Sequence, residues 1–148
     1  MKVEEGLVLN KDCSEIEEIF IRPASASWKY MDPGFGTLTV NNLGETDAYL
    51  VLVNNQVDSN YAMYVRAGEN AIMDSIPDDT YEVYLTTGTV WVSYERRFKD
   101  AGSYETLQEP LVFTSNETQA TAWEIVLQTT EVGNAGSVRI DESDFPSP

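Results

Sequence analysis

From residue 36 onward, apolar and polar residues alternate with a period of two over short stretches of the chain. Tyr81, Val83 and Leu85, for example, share one face of a strand, and Glu82 lies on the other. Alternation of this kind predicts β-strands. The predicted strands are 37–40, 48–53, 61–66, 71–74, 80–85, 111–114 and 122–127, with a less regular candidate at 91–94.

Turn signals separate these segments. The run 41–44 is Asn-Asn-Leu-Gly, and Pro77 is suited to the second position of a tight turn at 76–79. The gaps are too short for the crossover helices that parallel strands need, so the strands are expected to pair antiparallel. The sequence therefore predicts an all-β fold, an antiparallel β-sandwich of about seven or eight short strands, either Ig-like or prealbumin-like.

Composition divides the chain into three parts. Residues 1–35 form a leader and linker, residues 36–130 form the sandwich domain, and residues 131–148 form a polar C-terminal tail. The tail contains one further candidate, an edge strand at 137–140.

The leader contains one segment with helical spacing. Ile16, Ile19 and Phe20 are spaced i, i+3, i+4, and either Asp12 or Ser14 could cap a helix of about two turns. The Ile-Phe-Ile run at 19–21 fits a strand equally well, so both alternatives stand.

The charge balance excludes several functions. The chain has 25 acidic and 9 basic residues, a net charge of −16, and no histidine. A surface that binds nucleic acid needs a basic patch, and an anionic membrane would repel this chain. The acidity has three alternative explanations, which are solubility, cation binding and mimicry of a polyanion.

The cellular location of a protein can be inferred from paired cysteines, membrane helices or a signal peptide, and this sequence shows none of the three. A single cysteine, Cys13, excludes an intramolecular disulfide. No apolar run approaches the roughly 18–20 residues of a membrane helix, so no membrane insertion is predicted. The start of the chain lacks the features of a signal peptide. The expected location is the cytoplasm, or the cell envelope or exterior if a targeting segment has been removed.

No catalytic constellation is recognisable. The missing histidine removes the most frequent general base, and neither Ser-x-x-Lys nor Gly-x-Ser-x-Gly occurs. Pairs of carboxylates are uninformative in a chain with 25 acidic residues. The sequence therefore predicts no enzymatic activity and no cofactor.

Calcium binding is one alternative for the acidic residues. Asp74, Asp78 and Asp79 bracket one predicted turn, and calcium prefers carboxylate and carbonyl oxygens from loops. The spacing does not match the D-x-[DN]-x-[DN]-G calcium loop. Ordinary turn chemistry is the competing explanation.

Two further groups are candidates for binding. Trp91 and Tyr94 lie in a loosely patterned segment and could form a stacking platform for carbohydrate, although core packing competes with this. Trp123 lies in an apolar strand and is assigned to the core. Arg96 and Arg97, with Lys99, form a basic patch that could receive an acidic partner or a second copy, unless it only forms salt bridges within the chain.

Several segments between residue 36 and the C-terminus resemble an uncharacterised family of bacterial β-sandwich domains. Members of that family usually have Pro-Asp-Gly-Thr-Tyr at the second turn, where this chain has Asp79 in place of glycine, which suggests that the turn does not need a positive φ. The middle of the chain is also similar, more generally, to Ig-like, PEGA-like and carboxypeptidase-regulatory-like sandwiches. The resemblance implies a non-catalytic extracytoplasmic module and identifies no active-site residue. The matching segments are 36–42, 64–69, 76–84, 87–88, 123–127, 133–135 and 144–146.

The leading hypothesis is a non-catalytic interaction or accessory module of a bacterial protein, binding a protein partner through loops or a strand edge. One alternative is a stand-alone acidic inhibitor that mimics a polyanion and covers a basic protein surface. A mimic concentrates its carboxylates on one face, whereas a module scatters them. A carbohydrate- or calcium-binding module is the third alternative, and the oligomeric state stays open.

Overall fold

The computed structural model describes residues 22–29, 34–54, 60–127 and 137–146. Within these ranges the regular structure is β-strand, apart from one short 3-10 helix, Glu142–Asp144. The all-β prediction is confirmed, with more strands than the sequence predicts. The strands are β1 Ala26–Trp28, β2 Gly36–Asn42, β3 Asp47–Val53, β4 Tyr61–Val65, β5 Asn70–Ile76, β6 Asp79–Gly88, β7 Trp91–Val92, β8 Arg97–Phe98, β9 Tyr104–Leu107, β10 Leu111–Phe113, β11 Ala122–Leu127 and β12 Ser137–Ile140.

These strands form two larger sheets and a small hairpin. The main sheet has the order β1-β4-β3-β6-β9-β12, and β10 pairs with the first residues of β6. The second sheet has the order β11-β2-β5, and β7 pairs with β8. Every pair in the main sheet is antiparallel, as predicted.

One pair departs from the antiparallel prediction. β11 runs parallel to β2 from Ala122, opposite Thr37, to Leu127, opposite Asn42. Parallel neighbours need a long crossover connection, which is usually a helix. Here the chain between β2 and β11 builds most of the main sheet, so the sandwich itself serves as the crossover.

The main core lies between the two larger sheets. Leu38 and Met73 of the second sheet are buried in one cluster with Leu50, Val83 and Phe113 of the main sheet. Face-to-face packing of two sheets is consistent with the predicted β-sandwich.

A second core covers the opposite face of the main sheet. Tyr49 and Tyr64 point to this side and pack with Trp91 and Phe98 of the small hairpin and with Phe145. Because the main sheet is covered on both faces, all five residues of β4 are buried.

The main sheet extends beyond the predicted domain boundaries at 36 and 130. β1, which falls in the predicted leader, pairs with β4. The predicted edge strand at 137–140 is present as β12 and pairs with β9. The alternatives predicted for 12–21 and the polar stretch 131–136 lie outside the described residues.

The predicted turn at 76–79 separates β5 from β6. These two strands belong to different sheets, so the turn forms a corner of the sandwich and not a hairpin. The positive backbone angle at this corner falls on Ser75, whose φ is 59°, and not on Asp79. The turn therefore does not need a glycine at position 79.

Candidate functional site

Trp91 is part of the second core and not a surface platform. Its indole is 6% exposed and lies 4.8 Å from the ring of Tyr49, 5.0 Å from Tyr64 and 5.2 Å from Phe98. Of the two alternatives for Trp91, this burial fits core packing and not an exposed stacking platform, because the small hairpin folds back over the main sheet and carries the ring inward.

Trp123 has the opposite environment. It lies on β11 at the edge of the second sheet and is 40% exposed, although the sequence assigns it to the core. Its indole N–H donates to the carbonyl of Val112 at 2.9 Å. This hydrogen bond links β11 of the second sheet to β10.

The other predicted binding residues lie at the tip of the β7–β8 hairpin. Tyr94 is 62% exposed, and Arg96 takes a positive φ of 53° in the turn. Burial raises the pKa of the Tyr49 phenol, and the adjacent guanidinium of Arg96 opposes that shift. Arg97 forms a 2.8 Å ion pair with Glu142. The two arginines therefore have contacts within the chain.

Asp100 fixes the start of this hairpin. Its carboxylate accepts hydrogen bonds from the backbone N–H of Thr89 at 3.0 Å and of Val90 at 2.9 Å, and also from the Thr89 hydroxyl. Partial burial alone would raise the pKa of Asp100, but these hydrogen bonds outweigh it and hold the pKa below its usual value.

Gly88 allows the hairpin to pack closely. A Cβ at this position would lie 2.6 Å from the Cβ of Phe98. Gly88→Ala is therefore expected to displace Phe98 from the second core and lower the free energy of unfolding by about 1–3 kcal/mol. Gly102→Ala is the matched control, since its nearest neighbour would be 3.8 Å away. Equal urea midpoints for the two variants would contradict this account.

The calcium candidates do not converge on one point. Asp78 accepts hydrogen bonds from the backbone N–H and hydroxyl of Ser115, at 3.0 and 2.9 Å. Asp79 accepts from Asn54 and from the N–H of Thr80, which together lower its pKa. Asp74 is exposed on β5. Within the described ranges, no three Asp, Glu, His or Cys side chains are placed to hold a metal ion.

The strongest candidate surface is the edge of β11, which the sequence does not identify. Thr37 N–H donates to the Thr121 carbonyl at 3.1 Å, and Leu43 N–H donates to the Leu127 carbonyl at 2.7 Å. In a ladder, alternate residues direct both backbone groups to the same neighbour. The N–H and C=O groups of Ala122, Glu124 and Val126 therefore point away from β2.

Other strand edges in the described part of the chain are short or covered. β1 has three residues and β12 has four. β5 is longer, but Ser27 of β1 lies beside it and donates to the carbonyl of Ile72 at 3.4 Å. β11 has six residues, and among the described strands only β2 pairs with it.

The side chains of β11 offer little protection against another strand. Proteins usually block long edges with lysine, proline, bulges or short strands. β11 contains neither lysine nor proline, and its one charged residue, Glu124, is hydrogen-bonded to Asn41. Its sequence, apolar apart from Glu124, is the signal that could have indicated an accessible strand, but a buried strand produces a similar pattern.

Within the described residues, no helix has the length and apolar character needed to cross a bilayer. Comparisons with protein-family models, curated proteins and solved structures gave no match to the chain. The resemblance to Ig-like and related bacterial sandwiches therefore stays a prediction, and the geometry of the β11 edge is the basis for assigning a function.

Proposed function

We propose that this protein is a non-catalytic interaction module that binds an extended segment of another protein by adding a strand beside β11. The observation that carries the proposal is the six-residue edge, whose outward amides and carbonyls have no partner strand among the described residues. Main-chain hydrogen bonds to such an edge supply affinity, and the flanking side chains supply selectivity. Trp123 and Val126 provide partly exposed apolar surface beside those groups.

The distribution of acidic residues supports a module more than a polyanion mimic. Asp74 lies on the outer face of the second sheet, whereas Glu142 lies beside the β7–β8 hairpin on the other side of the main sheet. Asp47 is buried and hydrogen-bonded within the fold. Carboxylates spread over several surfaces do not form the single contiguous face that a mimic requires.

Charge favours a basic partner segment over a second copy of the chain. Two copies would each carry a net charge of −16, and this repulsion opposes pairing of one β11 edge with another. A segment with lysine or arginine at alternate positions gains attraction instead. The partner we propose is therefore an extended strand that combines basic and β-branched residues.

A synthetic octapeptide in which valine alternates with lysine provides a direct test, with a valine–glutamate octapeptide as its control. Amide hydrogen exchange and ¹⁵N chemical shifts of the full chain report where each peptide lies. The lysine peptide is expected to protect the amides of Ala122, Glu124 and Val126. Absence of binding, or protection at another strand, overturns the proposal.

Proline substitutions separate edge binding from folding. Val126→Pro removes an outward N–H and should reduce affinity for the lysine peptide at least about tenfold while the domain stays folded. Ile125→Pro is the control, because it removes a donor to β2 and should lower the free energy of unfolding by about 1–3 kcal/mol. Glu124→Gln tests the charge contribution without changing the backbone. Full peptide affinity in a folded Val126→Pro variant rules out strand addition at β11.

A further inference from the structure

The aromatic face of the main sheet contains a socket that is filled by the chain's own C-terminal segment. Phe145 is 2% exposed, and its ring centroid lies 5.3 Å from Tyr104, 6.2 Å from Tyr49 and 6.3 Å from Tyr84. These tyrosines come from β9, β3 and β6, which are neighbouring strands. The socket therefore has rigid walls that do not belong to the segment occupying it.

The charge around the socket complements the segment that fills it. Arg96 lies beside the Tyr49 phenol and Arg97 lies beside the occupying segment, in a chain that has only 9 basic residues. The occupying segment carries Asp141, Glu142 and Asp144, and Glu142 forms a 2.8 Å ion pair with Arg97. The socket therefore combines an aromatic cavity with a basic rim, which suits an acidic peptide with an aromatic residue.

The occupying segment, residues 141–146, follows β12, which pairs with β9, and is itself attached at few points. Phe145 is the one buried residue within 137–146, all of which is described. The hydrogen bonds from the N–H groups of Asp144 and Phe145 end on Asp141 and Glu142, inside the segment itself. The Glu142 side chain is 62% exposed in its ion pair, and exposed pairs contribute little to stability. Segments with so few buried contacts open without global unfolding.

We propose that this socket is a binding site for an acidic segment of another protein with a phenylalanine three positions after a carboxylate. Residues 141–146 occupy the socket in the free protein and compete with that partner. The inference is independent of strand addition at β11, since the socket lies on the face of the main sheet that points away from the second sheet.

A fluorescently labelled peptide with the sequence of residues 141–146 tests the site in the full chain. Phe145→Ala empties the socket, so the peptide should bind this variant at least about tenfold more tightly than the unchanged protein. Binding should perturb the NMR signals of Tyr49, Tyr84 and Tyr104. A peptide with alanine in place of its phenylalanine, and one with lysines in place of its acidic residues, should both bind at least about tenfold more weakly.

Two further substitutions keep the test decisive if Phe145→Ala destabilises the fold. Glu142→Gln weakens the internal occupant and should increase peptide affinity by a few fold. Arg97→Gln added to Glu142→Gln should reduce that affinity again, because only the peptide then loses an ion pair. Equal affinity in all variants, or signals shifted elsewhere, overturns the proposal. A dimer that forms with increasing concentration of the unchanged protein, and that Phe145→Ala abolishes, identifies a second copy as the occupant and overturns the assignment to another protein.

Discussion

Trp91→Ala is expected to lower the free energy of unfolding by about 3–5 kcal/mol, the usual cost of removing a large buried aromatic side chain. The indole joins the β7–β8 hairpin to the main sheet through contacts with Tyr49 on β3 and Tyr64 on β4. Its removal leaves a cavity that Phe98 cannot fill without losing its own contacts. Urea denaturation followed by far-ultraviolet circular dichroism measures the loss.

Trp123→Ala is the matched control within the same chain. Because this indole is partly exposed and packs at a sheet edge, its removal should cost about 2 kcal/mol, less than the removal of the buried Trp91. The hydrogen bond to the Val112 carbonyl is also at the surface, where water can replace it. A Trp123 variant as unstable as the Trp91 variant would contradict the placement of both residues.

Trp91 is a surface candidate in the sequence and is buried in the structure, whereas Trp123 is assigned to the core and is partly exposed. The local sequence pattern therefore does not predict the burial of either residue. Alternation identified β2 and β6, because each has one face against the main core and one face outside it. Trp91 lies in a two-residue strand, which is too short to show any period. Its burial depends on the second core, and that core forms only when the hairpin packs against strands that are distant in sequence.

The missing strands have a related cause. β1, which the sequence does not indicate, has three residues and is held by pairing with β4 and not by its own composition. β9 and β10 pair with successive parts of β6, with a short interruption at 108–110. β9 is too short to show a clear alternation of apolar and polar residues, and Leu107 is its one aliphatic residue. All four of its residues are half-buried, so neither face of the strand is marked as a core face.

The candidate site was predictable only in its general type. The sequence indicates a strand at 122–127 and allows binding through an exposed strand edge. It does not indicate which strand is the edge, because that depends on the pairing of β11 with β2, about 80 residues earlier in the chain. The aromatic socket was not predictable at all, since its three tyrosines come from separate strands and its occupant from the predicted tail.

The sequence also does not distinguish Asp47 from the other acidic residues, of which the chain has 25 in all. In the structure, Asp47 is 3% exposed and makes four hydrogen bonds. Arg22 donates to it twice, at 2.6 and 2.7 Å, the Tyr64 hydroxyl donates at 2.6 Å, and the Ala67 N–H donates at 2.9 Å. Asp47→Ala should lower the free energy of unfolding by about 2–4 kcal/mol, because it leaves the buried Tyr64 hydroxyl and the Ala67 N–H unpaired, at about 1–3 kcal/mol for each group. Asp74→Ala, at an exposed position on β5, is the control and should change stability by less than about 0.5 kcal/mol.

The same network gives Asp47 a measurable dependence on pH. Burial alone would raise the pKa of this carboxyl, but the hydrogen bonds from Arg22, Tyr64 and Ala67 outweigh burial and hold the pKa below its usual value. A lowered folded-state pKa contributes stability above the unfolded value of about 3.9, and that contribution is lost as the pH falls through the folded value. Asp47→Asn cannot titrate, so its deficit in unfolding free energy relative to the unchanged protein should shrink as the pH is lowered from about 6 through the unfolded value of about 3.9. A deficit that stays constant over this range would show that the carboxylate charge does not stabilise the fold, and that hydrogen bonding to a neutral acceptor is sufficient.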